Sequence, residues 1–505
     1  MSSQVEPTAS IAGRKKGMGK ISLVFACGTA LFSDGYINSI AGTVNTILSR
    51  LYPDEYGKDS YSTLFSGMAY LGTVIGMLSF GYAVDRYGRK FGMLAASGIM
   101  IVFTALSAGA YGAGGSTSGM FKALIAYRFL TGIGIGAEYP SGSTAASEAT
   151  ENSGVSKRFQ HGMFVLATNS MIDIGFVVAS FVPMVLLWIF TEDHLRAVWR
   201  MSFGLGIVPA ALVLLWRLRM PAETERYQKA SIKTNVPYKL VARRYWRPFL
   251  GVSLCWFVYD FIVYPFGLFS SIIVDQITGG STKLITVFSF NLIINAFYLP
   301  GTIIGALLVD KLGPRRQLII FLCLQGVVGF IMAGAYHQLT GVIGAFTVVY
   351  GIFLSMGEAG PGDCLGLLAA KNFPTAVRGQ MYGLAAAIGK IGAYVGVWAF
   401  PAMQSHFSED EKSRGPFFVG AGLAFFSAIV AFFLIPEAKT DGMQIEDAAF
   451  RQYLADNGYD VSKMGMGEST EHLDQRHDSR DVEQVGQHSG SNSLDAREEE
   501  KAGEV

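Results

Sequence analysis

Apolar residues in this chain do not alternate; they run on in long blocks separated by short polar breaks. Blocks of about 20 residues suffice to cross a hydrocarbon layer roughly 30 Å thick. Twelve such blocks occur, near 21–41, 62–83, 92–112, 122–146, 162–188, 201–219, 249–271, 288–309, 318–336, 341–368, 380–401 and 417–435. The tenth is long, rich in glycine and interrupted by Glu358 and Asp363, and is taken as one span with a polar lining. The pattern predicts an all-α membrane protein with twelve transmembrane helices in two six-helix halves. Its segments are an N-terminal stretch 1–20, a first half 21–219, a central loop 220–248, a second half 249–435 and a tail 436–505.

Composition agrees: 50% of the 505 residues are hydrophobic, only 16% are charged, and mean hydropathy is +0.35. So few charges cannot cover a water-soluble surface of this size. The net charge of +1 is a cancellation between regions, so it identifies no partner. With the N-terminus inside, 23 Lys and Arg fall on the inner side (tail excluded) against 8 in or beside the outer loops, which predicts both termini in the cytoplasm. Residues 1–20 carry Arg14, Lys15, Lys16 and Lys20 and lack the short apolar core of a cleavable signal peptide. The central loop holds Arg226, Lys229, Lys233, Lys239, Arg243, Arg244 and Arg247. That basic run suits anionic membrane lipids, and no nucleic acid is expected as a partner. The tail from 439 has 16 acids against 7 Lys plus Arg and is expected to stay mostly disordered, with Met443–Leu454 as a short surface helix. Four cysteines inside apolar blocks and seven scattered histidines have no ligand spacing, and no nucleophile triad appears. Neither an enzyme nor a metal or other cofactor is expected.

An internal repeat changes the picture from membrane protein to carrier. Gly81-Tyr-Ala-Val-Asp85-Arg86-Tyr-Gly88-Arg89-Lys90 follows span 2, and Asp310-Lys311-Leu-Gly313-Pro-Arg315-Arg316 follows span 8. The same acid, glycine turn and paired cations recur at equivalent places, as expected for two halves that rock about a central site. Asp85 and Asp310 can cap or pair across helix ends there.

Ionisable groups inside spans are costly in lipid and mark cavities. Asp34 stands in span 1 with Asn38 one turn on. Trp256, Asp260 and Tyr264 recur every four residues in span 7 and share one face, offering an aromatic wall, an acid and a hydroxyl together. Lys390 is the single cation deep in the second half and is the strongest candidate to hold an anion. Arg128 and Glu138 in span 4 are ten residues apart; at about 80° and roughly 15 Å of separation each needs its own partner. Gly132, Gly134 and Gly136 between them point to close helix packing rather than phosphate binding.

Over residues 20–438 the chain resembles the major facilitator superfamily, within it the phosphate:proton symporters and especially the fungal glycerophosphodiester permeases. The resemblance rests on Asp85-Arg86-Tyr-Gly-Arg89-Lys90, on Arg128-Phe-Leu-Thr-Gly132-Ile-Gly134-Ile-Gly136-Ala-Glu138-Tyr139-Pro140, on Glu148, Lys157 and Arg158, and on Pro221-Ala-Glu-Thr-Glu-Arg226-Tyr. Phe32-Ser33-Asp34-Gly35-Tyr36-Ile37-Asn38 and Asn169-Ser170-Met171-Ile172-Asp173 carry its substrate-level part. It implies proton coupling through Asp34, Glu138, Asp260 and Arg128, and substrate binding by Lys390, Tyr139, Trp256, Tyr264, Asn169 and Glu358. Where phosphate carriers have a second span 1 acid this chain has Ile37, and near Glu358 they have an amide. A carboxylate there suits glycerol or inositol hydroxyls better than a phosphate dianion. Asp85, Arg89, Glu148 and Arg158, with Asp310, Arg315 and Arg378, form the expected cytoplasmic gate. Lys371 sits where an acid is usual, which predicts a weaker gate in the second half. The expectation is a plasma-membrane importer, working as a monomer, that carries a glycerophosphodiester such as glycerophosphoinositol together with protons. Inorganic phosphate symport is the alternative, and a transporter-like nutrient receptor a more remote one.

Overall fold

The computed structural model describes residues 20–57, 60–152, 156–220, 227, 230–232, 235–277, 283–408, 411, 414–439 and 442–464. The expectations for 1–19, for Arg226, Lys229 and Lys233, and for the tail beyond 464 lie outside these residues. Among them secondary structure is entirely helical. Eleven helices are long and apolar enough to cross a membrane: Tyr61–Tyr87, Arg89–Ala108, Thr117–Glu151, Lys157–Phe190, Glu192–Leu218, Tyr238–Ser271, Leu284–Leu312, Pro314–Gly334, Ile343–Lys371, Arg378–His406 and Gly415–Leu434. They correspond to spans 2–12. Span 1 is the pair Lys20–Gly28 and Leu31–Leu51, more polar because Ser33, Asp34, Asn38 and Asn45 face inward. Large apolar side chains such as Leu212, Leu307, Ile429 and Phe433 stand exposed on the outer surface, as lipid-facing residues should.

Span 1 runs on to Leu51 instead of ending near residue 41, and two further expectations differ. The central loop ends ten residues early, because the basic stretch from Tyr238 is already the first part of the span 7 helix. The tail helix, Gly442–Asp456, does not lie free on a surface. Met443, Phe450 and Leu454 are fully buried, the last two against Ile232, Val241, Tyr245, Phe373 and Val377. An apolar stripe on an otherwise polar helix found a partner the linear pattern could not reveal.

Glycine sets the helix spacing around the centre. A Cβ on Gly72 or Gly76 of span 2 would lie 1.9 or 2.2 Å from a carbonyl oxygen of span 4, and one on Gly132 or Gly136 would lie 2.1 Å from a carbonyl of span 2. The two helices therefore touch backbone to backbone. Spans 1 and 5 meet likewise at Gly28, Gly35 and Gly175. Their helices break beside each other, at Thr29–Ala30 and at Thr168.

Spans 4 and 10 share a second irregularity. Each relaxes into a π-turn, Tyr139–Ser143 with Pro140 and Glu358–Gly362 with Pro361. A proline cannot donate to the preceding turn, so the ladder widens there. A Cβ on Gly142 would be 2.1 Å from the Glu138 carboxylate, and one on Gly362 2.1 Å from that of Glu358. Each carboxylate thus lies back along its own helix, over a bare glycine.

Gly136→Ala should lower the melting temperature of the purified protein, since the new methyl collides with the Thr73 carbonyl; overpacking of this kind costs about 1–3 kcal/mol. Gly98→Ala, in span 3 with nothing within 4 Å, should melt no lower than the parent and gains helix propensity. Differential scanning fluorimetry of the two variants separates them.

Candidate functional site

Spans 1, 4, 5, 7, 10 and 11 enclose a cavity of about 60 Å³, room for a water or two. Tyr139, Asn169, Trp256, Tyr264, Glu358 and Lys390, expected from the sequence as substrate contacts, all line it, as does Asp260. The lining has two poles. At one, Lys390 Nζ lies 3.1 Å from Asp260 Oδ2 and donates a hydrogen bond to the Tyr264 hydroxyl. The same ammonium lies 3.7 Å from the Tyr264 ring centroid and 5.4 Å from that of Tyr139. Four-residue spacing in span 7 brings Asp260 and Tyr264 to it together, and Trp256 completes that wall one turn before.

At the other pole the Asn169 amide donates to three carboxylates: Asp363 at 2.9 Å, Glu358 at 3.0 Å and Asp173 at 3.3 Å. Tyr259 donates to Glu358 at 2.7 Å, and Thr302 to Asp363 at 2.9 Å. The sequence marks Asp363 as polar lining and Asp173 as part of the span 5 motif without assigning either to cargo or proton, and it carries no signal for Tyr259. Asp173 lies one helical turn after Asn169, and Asp363 just beyond the span 10 π-turn, which rotates it toward the cavity lined by Glu358.

The remaining proton-coupling candidates sit elsewhere. Asp34 is fully buried and accepts from Asn38 at 2.5 Å, next to the cavity rather than on its lining. Arg128 donates to the Ile37 carbonyl at 2.6 Å and lies over the Phe65 ring, close to the Asp34 helix but not ion-paired with it. Glu138 departs from the sequence expectation: it faces away from the cavity and is gripped by both terminal nitrogens of Arg217. Arg217 also donates to the Ala26 and Cys27 carbonyls, so it ties spans 1, 4 and 6 together. Seventy-nine residues separate the pair, and no local spacing signals it.

On the face where the tail helix docks, the repeat is reciprocal. Asp85 at the end of span 2 accepts from the backbone of Gly379 and Gln380 at the start of span 11, at 3.0 and 2.8 Å. Asp310 at the end of span 8 accepts from His161 and Gly162 at the start of span 5, at 3.0 and 2.8 Å. Each half thus places an anion on the positive end of a helix in the other. Gly88 and Gly313, with φ of 111° and 82°, make the turns that follow. Arg89 donates to Asp85 and Glu148, and Arg378 also reaches Glu148, at 3.1 Å. Two expected members stand apart: Arg158 is exposed, and half-buried Arg315 binds the Phe432 carbonyl within its own half. Lys371, expected to weaken this face, lies 3.1 Å from Glu151 of span 4 and so joins the halves. On the opposite face Arg50 meets Asp275 at 2.6 Å and Thr46 meets Ser271 at 2.9 Å, joining span 1 to span 7.

A small cavity with ionisable side chains in its wall, between two pseudo-symmetric helix sets with cross-half contacts on both faces, is the architecture of a membrane transporter. The profile of the Major Facilitator Superfamily matches residues 23–397 and 284–450, and the chain belongs to that superfamily. It is similar to the major glycerophosphoinositol permease GIT3 of Candida albicans, 43% identical over 452 residues, 88% of this chain and 83% of that one. It is equally similar to the glycerophosphocholine permease GIT4 of the same organism, 44% identical over 449 residues, 87% of this chain and 83% of that one. The proton:xylose symporter XylE shares the fold, with a TM-score of 0.68 at 17% identity over 85% of this chain and 98% of its own. The protein is a multi-pass transporter, not an enzyme.

Breaking the Glu138–Arg217 pair should damage the fold more than deleting it. Glu138→Gln strands a buried guanidinium and should cost about 3–5 kcal/mol, whereas Glu138→Gln combined with Arg217→Met removes both charges and should recover much of that loss. Melting temperatures of the two variants in detergent check this order.

Proposed function

We propose that the protein imports a glycerophosphodiester, such as glycerophosphoinositol, together with protons by alternating access across the plasma membrane. The observation that carries this reading is the Lys390–Asp260 contact beside Tyr264 and Tyr139 in the cavity wall. A phosphodiester keeps one negative charge at physiological pH, and an ammonium in a dry site attracts it far more strongly than in water. To bind, the phosphate displaces Asp260 from Lys390. The released carboxylate, now beside a second anion, takes up a proton, so loading of anion and proton are linked at one pair of side chains. Tyr264 and Tyr139 then offer hydroxyl donors to the phosphate oxygens, and Trp256 closes the wall.

Asp34 next to the cavity is the second proton-accepting group in this reading, with Arg128 as its electrostatic neighbour. Glu138, held by Arg217, is left with a structural task. The present cavity is too small for the cargo, so loading requires one face to part. Release of Arg50–Asp275 opens the outer side; release of the Asp85 and Asp310 helix caps, with Glu148–Arg378 and Lys371–Glu151, opens the inner. The tail face is the cytoplasmic one in this scheme, as the excess of Lys and Arg on that side suggests, with basic loop residues against anionic lipid. A single chain contains the whole cavity and suffices as a monomer.

Uptake of labelled glycerophosphoinositol into cells lacking their own carriers should rise as external pH falls. Unlabelled glycerophosphocholine should compete with it and inorganic phosphate should not. Lys390→Ala should abolish uptake while the protein still reaches the cell surface. Normal uptake by a well-expressed Lys390→Ala variant, or competition by phosphate alone, would overturn the reading.

A further inference from the structure

The pole of the cavity around Asn169 stands where two helices bend. Span 5 breaks at Thr168, whose φ of −118° and ψ of −78° part a tail-side segment, Gln160–Ala167, from the helix that begins at Asn169. Span 10 breaks at its π-turn, and the tail-side segment Asp363–Lys371 begins at Asp363. These two segments carry contacts that close the tail face, His161 and Gly162 with Asp310, and Lys371 with Glu151. A closed ring of hydrogen bonds joins the two bends. Asn169 donates to Asp363 Oδ1 at 2.9 Å, Thr302 of span 8 donates to the same oxygen at 2.9 Å, and the hydroxyls of Thr302 and Ser170 lie 3.0 Å apart. Ser170 follows Asn169 along span 5, which completes the circuit. Thr302 has a single O–H, directed at Asp363, so Ser170 is the donor in the last contact.

Span 5 belongs to the first half, spans 8 and 10 to the second, so two bonds of the ring cross between the halves. A third crossing runs from the Asn169 amide to Glu358 at 3.0 Å. Ser170 and Thr302 are buried outside the cavity lining, and of the ring only Asn169 and Asp363 reach it. The amide has two N–H bonds, for which Asp173, Glu358 and Asp363 already compete. A cargo oxygen that takes one of them leaves fewer for the bonds between the halves.

We propose that this ring is a latch between the halves, and that cargo releases it by drawing the Asn169 amide away from Asp363 and Glu358. Ser170 and Thr302 are then positioning residues: they touch no cargo, yet set how firmly the tail-side segments of spans 5 and 10 are held together. Without cargo the latch keeps the tail face shut. With cargo the segments are free to part about Thr168 and the π-turn. The coupling is reciprocal, so a change outside the cavity that weakens the latch also frees the amide for cargo. This rests on the reading above only in placing an oxygen-bearing cargo in this cavity.

The test is hydrogen–deuterium exchange of the purified full-length protein over residues 157–167 and 363–375, with and without glycerophosphoinositol. In the wild type the diester should speed exchange there about tenfold, the worth of roughly one hydrogen bond between the halves. Ser170→Ala removes one crossing bond and leaves the cavity lining whole. Without cargo this variant should already exchange about tenfold faster than the wild type in both stretches. The diester should then add less than it does in the wild type, and its Kd should fall, whereas a merely structural lesion would raise it. If Ser170→Ala does not fold, the wild-type comparison decides. Slower exchange in these stretches with bound diester, exchange in folded Ser170→Ala equal to that of the wild type, or a raised Kd would overturn the latch. A wild type that binds none of the diester would overturn the diester reading instead, and the cargo-free comparison of the two proteins would still decide the latch.

Discussion

A charge taken out of water must be met by another charge or by several hydrogen bonds, and in a bundle bathed by lipid that requirement decides where nearly every ionisable residue goes. Arg217 is buried because Glu138 and three backbone carbonyls receive it. Lys390 is buried because Asp260 and Tyr264 do. Many of these pairs join elements distant in sequence, so the same constraint that makes each charge expensive also stitches the helices together. Where the partner belongs to the other half, as with Glu148 and Arg378, the stitch becomes a contact that a moving transporter has to exchange for another.

Two kinds of contact divide the labour. Within the first half, spans 2 and 4 touch through bare glycines, an interlock with no slack and nothing to titrate. Between the halves, polar contacts that water or cargo can replace stand beside close glycine approaches, Gly383 to the Met77 carbonyl and Gly42 to that of Leu268. What sets the moving boundary apart is therefore the charge laid over it, not the absence of close packing. The paired π-turns stand at the boundary, putting Glu138 and Glu358 at comparable places in the two halves. One of them met an arginine and became part of the framework, while the other, bound by Tyr259 and Asn169, stayed on the cavity wall.

The number of spans, the twofold repeat and the cavity face of span 7 were legible because each is a local pattern: a hydrophobic run, a recurring loop, a four-residue period. Lys390 could be singled out because a charge in an apolar run has few places to go, whereas Tyr139, Asn169 and Glu358 came with the resemblance to the permeases. Glu138 looked like one more of these, and only its distant partner distinguishes it. Arg217 itself resembled an ordinary cation at the inner end of a span, which is where cations usually collect. Arg315 shared the repeat's composition but not its geometry, and Arg158 stood in the loop before span 5 with no local signal of its direction, since a loop motif does not say which way its outer side chains turn. The tail helix was visible as a stretch of helix, yet its destination depends on surfaces supplied by residues far upstream.

That last helix also bears on how the molecule is made. Glu446 accepts from Arg244 and Tyr245, and Asp447 accepts from Thr375 near the start of span 11, while Met443 packs beside Ser147 of span 4. All of these anchors are translated and inserted before residues 443–454 leave the ribosome. The face they close is therefore sealed only after the twelfth span has been made, and a chain that stops between that span and residue 443 carries the bundle without its final fastening.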